Sequence, residues 1–93
     1  MIVLRKIRSR DGSLDVKKGK QVIPINSEYI TIIFDEPFSS VDYILIINLV
    51  NTIDGNPAVY PYIVNSKTLG SFAVCFQGEI DSNNYVIEWI AIM

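Results

Sequence analysis

The sequence predicts an all-β protein, a small antiparallel β-sandwich of six to seven strands. Apolar and polar residues alternate with period two along most of the chain, the mark of half-buried strands. β-branched and aromatic residues fill those runs, and they suit a pleated, partly buried surface. Turn-forming clusters of Asp, Asn, Gly, Ser and Pro separate the runs at fairly regular spacing, as in sandwiches and barrels. No segment shows convincing helical periodicity. The stretch from Asp42 to Val50 is apolar enough for a helix, but its β-branched content and bracketing loops favour a strand.

Taken in order, "IVLRKIR" alternates loosely and "SRDGS" supplies an Asp-Gly turn. "LDVKKGKQVIPI" reads as two short extended pieces around Gly19, with Pro24 marking an edge position. "EYITIIFD" sets Ile30, Ile32 and Phe34 on one face, and "DEPFSSVD" is a loop. "YILIINLV" follows as a strand, "NTIDGNP" as a turn cluster, "VYPYIV" as a strand and "NSKTLG" as a loop. "SFAVCFQ" places Phe72, Val74 and Phe76 on one side and Ser71, Ala73, Cys75 and Gln77 on the other. "GEIDSNN" closes the loops, and "YVIEWIAIM" is the last strand, apolar to Met93 and so expected to be held in a sheet.

A chain of 93 residues forms one domain, and one this small leaves much of its surface in water. Hydrophobic residues nevertheless make up 49%, an excess that points to oligomer interfaces. The longest stretches without charge, such as Tyr43 to Ile53, fall short of the roughly 18–20 residues of a membrane helix, so no membrane insertion is expected. Arg5, Lys6, Arg8 and Arg10 interrupt the first apolar residues, which does not fit a secretory leader.

Two strands carry the main inference. In "YILIINLV" Tyr43, Leu45, Ile47 and Leu49 share one side, and Ile44, Ile46, Asn48 and Val50 the other. In "YVIEWIAIM" Tyr85, Ile87, Trp89 and Ala91 oppose Val86, Glu88, Ile90 and Ile92. Both strands are apolar on both sides, yet a two-layer sandwich buries only one face of each sheet. The second face, with Ile44, Ile46, Val50, Val86, Ile90 and Ile92, is therefore expected to meet another copy of the chain, since exposed apolar patches of that size are unusual on monomers.

Chemistry is sparse. Histidine is absent, which removes the commonest general base and most zinc sites. The single Cys75 excludes an internal disulfide and reads as a small apolar strand residue. Asp35 and Glu36 are neighbours that point to opposite faces, and Asp54 and Asp81 read as turn carboxylates rather than calcium ligands. No cofactor motif is present, and no enzyme is expected. All cationic residues except Lys67 lie between Arg5 and Lys20; no aromatic residue interleaves them, which disfavours nucleic-acid binding. Trp89 is assigned to the core. Tyr60 and Tyr62 are candidates for glycan contact because their ring faces suit a sugar, and Tyr29 is expected to be exposed beside Thr31.

From about Lys20 to Ile92 the chain resembles a known group. The resemblance lies in the order of "QVIPI", "ITIIFDEPFSSVDYILII", "YPYIVNSKTLGSFAV" and "DSNNYVIEWIAI", with the closing Trp-Ile-Ala-Ile most specific. These features are similar to the small β-sandwich modules of the H-type lectin fold, many of them at the ends of bacteriophage tail-fibre and other virion proteins. The resemblance implies residues 20–93 as an H-type lectin-like sandwich, assembled as a homotrimer on the virion surface after synthesis in the host cytoplasm. It implies other virion proteins as partners and a host-surface glycan as a target. Residues 1–19 would form a basic strand or attachment segment. Ile90 stands where the animal lectins carry a histidine after the tryptophan, and no sugar-contacting residue carries over. The expected function is that of a non-enzymatic virion structural protein of the tail fibre, baseplate or capsid decoration. The alternative is a free-standing carbohydrate-binding lectin.

Overall fold

The structure, a computed structural model, describes residues 15–93. Six strands follow one another: β1 (Val16–Val22), β2 (Tyr29–Ile33), β3 (Ile44–Val50), β4 (Tyr62–Lys67), β5 (Ser71–Phe76) and β6 (Val86–Ile92), with no helix among the described residues. They form two three-stranded sheets, ordered β1-β6-β3 and β2-β5-β4, in which every pairing is antiparallel. The expected strand "IVLRKIR" and most of the basic segment lie outside the described residues. The boundary placed between residues 19 and 20 falls inside β1.

The inward faces of the two sheets meet. Ile87 and Ala91 from one and Ile32, Phe72 and Val74 from the other belong to one buried cluster. On β5 the period-two reading is realised, with Phe72, Val74 and Phe76 buried and Ser71, Ala73 and Cys75 half-buried. The loop between β2 and β3 contributes more than a connection. Phe38 is buried there and stacks on Tyr43 at 4.6 Å, while Phe34 meets both rings edge-on. Trp89 lies 5.5 Å from both Phe34 and Phe72, measured between ring centres, and packs against the core as expected. The Tyr43 hydroxyl donates to the Thr68 carbonyl at 2.7 Å, within reach of that of Ser71 at 3.0 Å, so the two sheets are tied at the β4–β5 turn.

Two strand readings are corrected. Gly19 does not divide its segment: β1 runs unbroken from Val16 to Val22, all seven residues paired with β6. Gly19 sits opposite Trp89, whose indole covers it so closely that a Cβ there would lie 2.9 Å from the ring. The strand expected over "VYPYIV" begins only at Tyr62 and continues through the segment expected to be a loop, as far as Lys67. Pro61 has no N–H to give a ladder, and Tyr60 turns aside to pack edge-on against Tyr85. At the other end the Lys67 amine donates to the Tyr43 carbonyl and lies over the Tyr43 ring, which holds the chain extended. A register irregularity between Val64 and Ser66 accommodates the shift.

Candidate functional site

The pairings of β1, β6 and β3 put residues of the outward face in cross-strand rows, because directly opposed residues of antiparallel strands share a side. The rows are Val16, Ile92 and Ile44; Lys18, Ile90 and Ile46; Lys20, Glu88 and Asn48; and Val22, Val86 and Val50. All six residues expected to form an interface therefore meet on one surface. Ile44 and Ile46 are 52% and 55% exposed and Ile90 38%, while Val50, Val86 and Ile92 are half-buried by their neighbours. Sequence reasoning missed Val16 and Val22, 45% and 52% exposed, which extend the surface at both ends of β1. The alternation of Val16, Lys18, Lys20 and Val22 held that signal, but splitting the strand at Gly19 hid it.

Among the described residues the only acid in these rows is Glu88, in the middle of the central strand. Its carboxylate stands 3.4 Å from the Lys20 amine, and both groups are solvated enough for the pair to contribute little by itself. The face is thus an apolar plate crossed by one polar row.

Tyr60 and Tyr62 line a separate hollow of about 320 Å³, together with Asn48, Leu49 and Tyr85. Their hydroxyls are engaged within the protein: Tyr62 donates to the Ile47 carbonyl at 3.1 Å, and Tyr60 accepts from the Asp81 amide at 2.9 Å. Partial burial, with Asp81 alongside, holds the Tyr60 hydroxyl above the usual tyrosine range. Tyr62 is 37% exposed, whereas Tyr60 is half-buried. Tyr29 stands on β2, in the same sheet as Tyr62, and is exposed beside Thr31.

The loops next to this hollow are locked by Asp54. Its carboxylate accepts from Ser82 Oγ at 2.6 Å, Asn51 Nδ2 at 2.8 Å and Asn84 Nδ2 at 2.8 Å, joining the β3–β4 loop to the β5–β6 loop. The Ser82 bond first, then those of Asn51 and Asn84, lower its pKa below the ordinary aspartate value. A depressed pKa in the folded state stabilises the fold above the unfolded value of about 4, and that contribution is lost as pH falls through the folded value. Asp54→Asn keeps the shape but sets an amide among three donors. It is expected to melt below the wild type at pH 7, with the gap closing as pH falls through the folded value. Thermal melts across that range check this; a gap unchanged by acid would show that the charge plays no part.

Comparison of the chain with family profiles, with characterised proteins and with solved structures yields no match.

Proposed function

We propose that this chain is a non-enzymatic assembly module of a bacteriophage virion, of the tail-fibre, baseplate or capsid-decoration kind. Its two sheets form an H-type lectin-like sandwich that joins copies of itself through the outer face of β1-β6-β3. The observation that carries this reading is the exposed apolar surface that Ile44, Ile46 and Ile90 form on regular strands. Removing apolar area from water contributes about 25 cal/mol per Å², so these half-exposed Ile and Val residues together supply several kcal/mol. That is comparable with the whole stability of a small domain. The virion setting and the trimer rest on the sequence resemblance, and attachment to a host-surface glycan would use the hollow at Tyr62.

Light scattering on the purified chain tests the association. A defined oligomer, a trimer in the form the resemblance implies, is expected at micromolar concentration. Ile46→Glu removes apolar contact and sets an unpaired carboxylate in the joint, so association should weaken about 100-fold or more. A wild-type chain that stays monomeric would overturn the reading.

A further inference from the structure

β1 and β2 are the margins of the two sheets on one flank of the sandwich. The start of β1 borders the end of β2, where Lys17 and Lys18 line a hollow with Phe34, Asp35 and Glu36. The end of β1 borders the start of β2, where Gln21 lines another with Glu28 and Tyr29. The two strands thus lie side by side in different layers and run in opposite directions. Among the described residues each is paired on one side only.

The backbone bonds fix which groups each margin presents. Asp15 and Met93 exchange both bonds, at 3.4 and 2.9 Å, and the Ile23 amide donates to the Tyr85 carbonyl at 2.9 Å. Odd-numbered residues of β1 therefore bond β6, and alternation turns the N–H and C=O of Val16, Lys18, Lys20 and Val22 to the unpaired side. On β2 the Phe34 amide donates to the Gly70 carbonyl at 2.9 Å, and Glu28 accepts from the Phe76 amide at 2.8 Å. Even-numbered residues bond β5 there, so Tyr29, Thr31 and Ile33 present their amides and carbonyls at the flank. On both strands the residues that point to the flank also carry their side chains on the outer faces.

We propose that two copies of this chain join flank to flank, β1 of each pairing with β2 of the other in an antiparallel ladder. A two-fold axis parallel to the strands and between the layers makes both ladders at once and keeps the outer faces continuous across the joint. The rows then match. With Lys18 opposite Ile33, Lys20 meets Thr31 and Val22 meets Tyr29. The polar row of Asn48, Glu88 and Lys20 runs on into Thr31 and Ser66 of the second copy. The apolar row of Val50, Val86 and Val22 runs on into its Tyr29 and Ile63. Asp35 and Glu36 come to the end of β1 that carries Lys17 and Lys18, so opposite charges meet. The ion pairs among the described residues, Lys17 with Asp15 and Lys20 with Glu88, leave those two carboxylates out. Pairing β1 with β1 would instead set lysines against lysines, which is unfavourable.

This contact is separate from the association through the outer face, and Ile46→Glu, which spoils that face, is the background in which to test it. In sedimentation velocity Ile46→Glu should pass from monomer to a species of twice the chain mass as concentration rises, and go no further. Hydrogen exchange should show the amides of Lys18, Lys20, Thr31 and Ile33 protected in the pair and released on dilution. Adding Thr31→Pro removes one N–H of the joint at a strand margin, where proline is tolerated. The two-fold loses that bond twice, so pairing should weaken about 10-fold or more; circular dichroism confirms the fold. Ile46→Glu monomeric at every concentration would overturn the flank contact while the outer-face association of the wild type still stands. A pair whose four amides exchange as fast as in the monomer would overturn it as well. So would protection of the β1 amides in the monomer, since the chain's own residues 1–14 would then hold that margin.

Discussion

Phe72→Ala is expected to leave the domain barely folded at room temperature. Phe72 is fully buried in the central strand of its sheet, and its ring meets Phe34 at 5.8 Å and Trp89 at 5.5 Å between centres. Truncating such a ring removes its burial and leaves a cavity that flanking aromatics fill only in part, at a cost of about 3–5 kcal/mol. Small domains have about 5–15 kcal/mol in total. A melting temperature lower by roughly 15 °C or more is the expected reading, since each kcal/mol shifts a domain of this size by about 4–8 °C. A thermal melt showing a fall of only a few degrees would mean that the interior collapses around the gap more readily than the ring contacts imply.

Gly19→Val is the second change with a large expected effect, and its sign opposes the usual preference. Valine favours strands and glycine weakens them, so in an open strand the exchange would stabilise. Here the first carbon added would lie 2.9 Å from Trp89 Cζ2 and 3.1 Å from Cε2 and Nε1. The indole cannot swing away freely because Phe34 and Phe72 border it. Overpacking of this kind costs about 1–3 kcal/mol. Gly55→Ala serves as the control: nothing lies within 4 Å of an added Cβ there, and a neutral effect or a gain of about 0.4–1 kcal/mol is expected. Equal melting of Gly19→Val and wild type would show that the indole is not held over the strand. Blue-shifted or lost near-ultraviolet signal from the single tryptophan would locate the disturbance.

The period-two signal made the strands legible wherever one face is buried. On β5 it separated Phe72, Val74 and Phe76 from Ser71, Ala73 and Cys75 as the structure does. It also grouped the six outward residues of β3 and β6, because alternation fixes the side on which a residue stands, whatever covers that side. It failed where tertiary contacts decide. All of β4 is exposed, so burial imposes no pattern there, and the bounds follow from Pro61 and from the hold of Tyr43 on Lys67. Gly19 looked like a break because its partner, Trp89, lies 70 positions away in sequence. Phe38 looked like a loop residue because a loop carries no period to reveal the aromatic stack it joins. The outer face of the second sheet was half visible as the milder side of "SFAVCFQ"; Tyr29 and Ile63, which flank it, come from strands that only the register brings alongside.

The irregularity between Val64 and Ser66 matters beyond local geometry. A sheet margin with regular, unpaired amides is a template on which further chains add strand by strand, ending in fibres. β4 is such a margin, and it is interrupted midway and finishes on a cation. An incoming strand would meet a broken ladder and a positive charge there, so growth by strand addition is hindered at β4.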